Sequence, residues 1–303
     1  MKTVTTLKTV LVLAFSISLL AVLDSCKKDS SNPNNSSNST DTTAANLSAS
    51  TTLADNAYDD IFQTAVQTGY DNNIAYSNQL TGEGRIQTNS VHGSTATNGV
   101  NGCAVYTLSP NDATTFPKTV TVDFGTGCTS TAGVTRIGKI TYIFSGKLIN
   151  PGTTVSASFT NYSINSYQLK GTYSITNNSS LANGIAFTTS VTSGSIIFPD
   201  QTSYSYAGSK TVKQTGGITT TMDASDDVYS ITGNNTFSAG GNTIVNTITT
   251  PLTRAYNCEW VGSGIISFTY NTNTKGTLDF GNGTCDGDVT IKVGIFSKTI
   301  TFQ

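Results

Sequence analysis

Residues 139–177 read KITYIFSGKLINPGTTVSASFTNYSINSYQLKGTYSITN. Ile140, Tyr142 and Phe144 alternate with Thr141, Ile143 and Ser145; Val155, Ala157 and Phe159 alternate with serine and threonine; Leu169, Gly171, Tyr173 and Ile175 alternate with Lys170, Thr172 and Ser174. A strand sends successive side chains to opposite faces, so an apolar row opposed to a hydroxyl row predicts antiparallel strands with one buried face. Asn150-Pro151-Gly152 places a turn inside the stretch and Asn177-Asn178 closes it.

The same period recurs near 185–198, 202–214, 218–232, 236–250, 253–270, 275–280 and 287–302. Turn signals separate these runs at Pro199-Asp200, Gly216-Gly217, Gly233-Asn234-Asn235 and Asn271–Gly276. About a dozen strands exceed what one flat sheet holds easily, so the sheet is expected to curl into a sandwich-like or open barrel-like body. The fold class that follows is all-β: a large antiparallel curled sheet forming one domain over residues 51–303. The outward positions are threonine, serine and asparagine, which argues against a lipid-facing barrel wall.

One segment breaks the period. Thr52-Leu53-Ala54-Asp55 has the form of a capping box, and Leu53, Ala57, Tyr58, Ile61, Phe62, Ala65 and Val66 then share a helical face. Asn56, Asp59, Asp60, Gln63, Thr64 and Gln67 occupy the other face, with Gly69 as a stop. The spacing predicts one N-terminal amphipathic helix at about 53–68, lying against an open face or end of the sheet.

The formal net charge is −2 and charged residues make up 11% of the chain, with no basic patch that would neutralise phosphates. Nucleic acid is therefore not an expected partner.

Of the five cysteines, four fall in two similar segments. CAVYTLSPNDATTFPKTVTVDFGTGC (103–128) aligns loosely with CEWVGSGIISFTYNTNTKGTLDFGNGTC (258–285), each running out and back through two strands and an Asp-Phe-Gly before closing on cysteine. Four cysteines allow three pairings. The internal similarity favours Cys103–Cys128 and Cys258–Cys285. Each bridge would close a loop worth about 3.5 kcal/mol in lost chain entropy. Metal-binding cysteines come as close pairs, and these are isolated, so neither metal nor cofactor is expected.

The fifth cysteine, Cys26, has another setting. Lys2 and Lys8 precede an uncharged apolar run from Val10 to Leu23, followed by Leu23-Asp24-Ser25-Cys26. This is the layout of an export signal over residues 1–25, with an apolar run short of the roughly 20 residues that span a bilayer. LDSC resembles a lipobox, which implies acylation of Cys26 and a membrane anchor. Lys27 in place of an aspartate after the cysteine implies the outer membrane. Residues 26–50, dense in serine, asparagine and threonine, are expected to form a disordered tether.

DFGTGCT, RIGKITYIFSGK, FTNYSINSYQLKGTYSITN and the terminal GTLDFGNGTCDGDVTIKVG together resemble a group of uncharacterised Bacteroidetes outer-membrane lipoproteins, over most of the chain after the signal. The resemblance implies a shared β-domain and carries no activity or site residues.

Catalytic constellations are sparse. His92 is the single histidine and lies in a turn-like Ser90-Val91-His92-Gly93, without a nucleophile elbow. The glutamates are Glu83 and Glu259, and Asp123 and Asp279 occupy matching places in the two Asp-Phe-Gly repeats, where capping of nearby backbone N–H groups is the expected role. Asp223, Asp226 and Asp227, or Asp286 and Asp288, could supply calcium ligands but lack EF-hand spacing. Trp260 and the tyrosines could stack on sugars, although alternating strands bury most such rings. The expected function is thus a non-enzymatic envelope lipoprotein that binds a glycan or protein partner. A periplasm-facing carrier of lipid or another apolar ligand, and a glycan-active enzyme, are the alternatives. Which face of the outer membrane it occupies is left open.

Overall fold

The computed structural model describes residues 39–74 and 103–301, apart from 113, 131–132, 181–183, 220–225, 256–257 and 259–260. Helix α1 spans Ser39–Asp71. The strands that follow are β1 (Val105–Ser109), β2 (Lys118–Asp123), β3 (Cys128–Thr129), β4 (Thr135–Phe144), β5 (Thr154–Ile164), β6 (Tyr167–Asn177) and β7 (Ala186–Ile197). They continue with β8 (Ser203–Gly216), β9 (Val228–Ala239), β10 (Asn242–Ala255), β11 (Ser263–Tyr270), β12 (Thr274–Asn282), β13 (Asp288–Val293) and β14 (Phe296–Thr301). All pair antiparallel in chain order in one sheet, with the short β3 beside β2 on the same edge of β4.

The sheet is curled around the helix and not closed. A flat sheet of this size would be roughly 60 Å wide at ~4.8 Å per strand, and a helix only ~10 Å across could touch two or three strands of it. Instead α1 packs on β5, β6, β7, β10, β12 and β13. It also hydrogen-bonds to Tyr106 of β1, Arg136 and Tyr142 of β4, and Lys210 of β8. The sequence expectation of an all-β, open barrel-like sheet with one N-terminal helix holds. The helix, however, is the centre of the core and not a cover on its end.

The interior is one continuous cluster. Tyr58, Ile61, Phe62, Ala65 and Val66 are buried; fully burying a side chain the size of Ile61 or Phe62 contributes about 1.5–3 kcal/mol. Tyr58 stacks on Tyr206 with centroids 4.8 Å apart, and Phe62 meets Phe187 edge-on at 5.3 Å. Outside, hydroxyls pair across strands, as in Thr188 with Thr211 at 2.9 Å and Thr249 with Ser267 at 2.9 Å.

Several expectations need correction. Residues 39–50, read as tether, form the first third of α1, and Thr52-Leu53-Ala54-Asp55 lies mid-helix, not at a cap. Ala44, Ala45, Ser48 and Thr51 recur at helical spacing and are buried, so small side chains let the sheet close on this stretch. Thr51 Oγ1 donates to Leu47 O at 2.9 Å and Thr52 Oγ1 to Ser48 O at 3.2 Å, so hydroxyls that look hydrophilic are satisfied on their own helix. Asp55, Asp59 and Asp60, expected at the start or on the solvent face, point into polar contacts with the sheet. At the far end the helix passes Gly69 and ends at Asp71; Asn73, just beyond it, is in the left-handed region with φ 58, and Ile74 N–H donates to Gly69 O at 2.7 Å.

Another correction is the turn at Gly233-Asn234-Asn235. These residues lie inside β9, all three paired with β8 and Asn234 and Asn235 also with β10. Gly233 is there because a Cβ would sit 2.2 Å from Ser209 O, at φ +145. Similarly, the run 287–302 is the hairpin β13–β14, not one strand.

Irregular pairing in β10 shapes the site. Residues 248–251 of β10 face residues 232–233 of β9 without regular pairing, and the register also shifts against β11. Pro251 has no N–H to give either neighbour. The strand bows there, and the space it leaves lies against α1.

Candidate functional site

Asp55 and Asp59 are one helical turn apart on α1 and share a cation. Lys210 Nζ lies 2.9 Å from Asp59 Oδ2 and 3.5 Å from Asp55 Oδ1. Asp55 also accepts hydrogen bonds from Tyr206 Oη and from Asn235 Nδ2, the latter at 3.0 Å. Asn246 Nδ2 in turn donates to Asn235 Oδ1 at 2.7 Å. A carboxylate thus orders two successive amides across β9 and β10.

A second carboxylate group pins the helix further along. Asp60 receives Arg136 Nε at 2.9 Å and Arg136 Nη2, a two-pronged pair, together with Tyr162 Oη at 3.2 Å. Tyr142 Oη donates to Ile61 O at 3.0 Å, and Tyr58 Oη to Lys170 O at 2.8 Å.

Burial shifts these groups. It raises the Asp59 carboxyl above the usual carboxylate range, against the pull of Lys210. Burial also draws the Lys210 ammonium down, but Asp55 and Asp59 outweigh it and hold the group above its ordinary 10.5. Tyr142, Tyr162, Tyr173 and Tyr206 are pushed well above 10.0, by burial first. A group whose folded pKa is raised contributes stability below its unfolded pKa and loses it as pH rises. For the four tyrosines and Lys210 that loss begins near pH 10. Thermal melts from neutral pH upward are therefore expected to fall steeply above about pH 10, with the rings of Tyr142, Tyr162, Tyr173 and Tyr206 ionising only on unfolding, as read by their ring-proton chemical shifts. Titration of these four near pH 10 in a chain still folded would contradict this packing.

Between the acid–lysine cluster and the bowed part of β10 lies a cavity of about 80 Å³. That is several times the roughly 10–15 Å³ that one water needs. Its polar lining includes Asp55, Asn56, Asp59, Lys210, Asn235, Asn246 and Arg254, and its apolar lining Val212, Ile231, Leu252, Val261, Phe280 and Val289. Asn246 is 4% exposed, and its Oδ1 has no partner among the described residues; the same is true of Asn56 Nδ2. The sequence places Asp55, Asn56 and Asp59 on the helix and Asn235 in a turn but does not join them to the rest, because register across β8, β9, β10, β12 and β13 assembles the cavity. Pro251, inside an otherwise regular strand pattern, is the local signal that could have pointed there.

The residues singled out earlier fall elsewhere. Both disulfides, Cys103–Cys128 and Cys258–Cys285, form as the internal similarity suggested, with Cα atoms 5.7 and 5.6 Å apart. Asp123 accepts Gly125 N–H at 2.9 Å and Asp279 accepts Gly281 N–H at 3.0 Å. In both repeats the glycine is left-handed and Phe124 or Phe280 turns inward; the first motif is a turn at the end of β2, and the second lies in the last residues of β12, where its register against β11 shifts. Asp227 is held by Gln214 at 2.7 Å and Tyr229 at 3.0 Å; Asp286 accepts Thr284 Oγ1 at 2.6 Å and Asp288 N–H at 3.0 Å. Asp226 lies exposed beside Asp227. Among the described residues no group of acids, histidines or cysteines is arranged to hold a metal. Tyr106, Tyr142, Tyr162, Tyr173, Tyr206, Tyr229 and Tyr270 are core residues. Cys26, Glu83, His92, Asp223, Glu259 and Trp260 lie outside the described residues.

No protein-family model matches the chain, and neither does any curated protein or solved structure.

Proposed function

We propose that the chain is an envelope lipoprotein, held at the outer membrane through acylated Cys26, whose β-domain binds a small ligand with an apolar body and a polar head. The observation that carries the binding reading is the cavity beside α1, lined mainly by apolar side chains together with a few ordered polar groups. Binding sites combine those two features. Water alone is a poor occupant, because each buried water wants two to four polar partners and the valine, isoleucine and phenylalanine wall supplies none.

The acids support binding over catalysis. Asp55 and Asp59 are both engaged by Lys210, and Asp55 also by Tyr206 and Asn235, so neither carboxylate is poised for attack or proton transfer. Of the readings that the sequence left open, a carrier of a small apolar or amphipathic molecule therefore fits better than a glycan-active enzyme. The anchor rests on residues 1–26 alone. With α1 starting at Ser39, residues 27–38 would reach at most ~40 Å from the lipid, which keeps the cavity near the membrane surface.

Purification of the chain from a bacterial outer membrane, followed by solvent extraction and mass spectrometry, tests this reading. A small amphiphile is expected in stoichiometric amount, and absent from Val261→Phe, in which the new ring fills the cavity. An extract with no such compound from a cooperatively folded wild-type chain would refute it.

A further inference from the structure

Resting on the reading of the cavity as a binding site, we infer that its polar end selects an uncharged head that both donates and accepts a hydrogen bond, an alcohol or an amide.

The direction of the hydrogen bonds is dictated step by step. Asp55 is a carboxylate in contact with Lys210 and accepts; Asn235 must turn its Nδ2 toward it, with 3.0 Å to each oxygen. That leaves Asn235 Oδ1 facing Asn246, which must answer with its own Nδ2, at 2.7 Å. Asn246 Oδ1 is therefore committed to the cavity as an acceptor. An amide free to flip could serve either kind of ligand, but this one is held by a charge two residues away. Asn56 Nδ2, on α1, is an unpartnered donor lining the same cavity.

A hydroxyl or a primary amide carries both a proton for Asn246 Oδ1 and a lone pair for Asn56 Nδ2. A carboxylate has no proton for Asn246 Oδ1. An ammonium offers protons but no lone pair for Asn56 Nδ2. Either ion would also lose its hydration beside an apolar lining, and Lys210 is already matched by Asp55 and Asp59. A donor or acceptor buried without its partner costs more than a made hydrogen bond gains, so the selectivity is set mainly by what is left unpaired.

The test uses the full chain and four probes with one apolar tail: 1-butanol, butanamide, butyrate and butylammonium. Their binding is followed by chemical-shift titration of the side-chain amides of Asn246 and Asn56. Butanol and butanamide are expected to bind at least tenfold more tightly than the two ions, and Asn246→Leu to remove that preference. Because Asn246→Leu leaves Asn235 Oδ1 unanswered and can lower stability, Asn56→Leu serves as a second variant. It is expected to weaken butanol at least threefold and leave butylammonium unchanged. Butyrate or butylammonium binding as well as butanol overturns the head-group assignment while the cavity remains a binding site. No binding by any of the four to a cooperatively melting chain overturns the binding reading itself.

Discussion

A chain that begins at residue 75 is expected not to fold. Removing α1 takes Tyr58, Ile61, Phe62, Ala65 and Val66 out of the centre of the core and leaves the concave face of the sheet without a partner. The polar loss adds to the apolar one. Lys210 and Arg136, with side chains 17% and 8% exposed, would lose every carboxylate that faces them in an ion pair. Buried charges stripped of their partners cost several kcal/mol each, against a total stability of roughly 5–15 kcal/mol for a typical domain. The truncated chain should lose cooperative melting and dispersed amide resonances, and a peptide of residues 39–74 added in trans should restore them. A cooperatively folded sheet without α1 would mean that the strands close on themselves and that the helix is an accessory.

Asp60→Ala is expected to cost about 3–5 kcal/mol, as breaking a buried pair does. Arg136 reaches Asp60 with two nitrogens, and the side chains are 8% and 13% exposed, so solvent cannot replace the lost carboxylate. Tyr162 Oη loses its acceptor in the same step. The double variant Asp60→Leu with Arg136→Met should recover most of the loss, since apolar side chains of similar volume can replace a buried ion pair. Urea denaturation of the single and double variants measures both effects. A single-variant cost below 1 kcal/mol, the range of a surface pair, would show that the pair is solvated.

The sheet was legible because its grammar is local. Alternation at Ile140, Tyr142 and Phe144 specifies a half-buried strand whatever lies beyond it, and two Cys-to-Cys segments with a shared Asp-Phe-Gly specify their own bridges. The helix was legible only where it carries large apolar residues. Its first third is buried through Ala44, Ala45, Ser48 and Thr51, and a row of small side chains has almost no hydrophobic signal. What buries it is the close approach of a sheet that sequence pattern cannot place.

The site was less legible for a related reason. Asp59 and Asp60 were read onto the polar face, and Asp55 into a capping box, because a half-exposed helix puts its charges outside. Along the acids the helix faces the sheet, and the charges are answered instead by Lys210, Asn235 and Arg136, between 76 and 180 residues away. Gly233-Asn234-Asn235 read as a turn by composition. In the strand, the glycine permits close approach to Ser209 and Asn235 reaches Asp55, a role visible only once β8, β9 and α1 are together.

The claim that the cavity holds a ligand is tested most directly by a crystal structure of the chain purified from an outer membrane without solvent extraction. The account predicts continuous density, larger than a water, within hydrogen-bond distance of Asn246 Oδ1 and packed against Val261 and Phe280. Walls collapsed onto one another, with Asn246 Oδ1 bonded to another protein group, would contradict it.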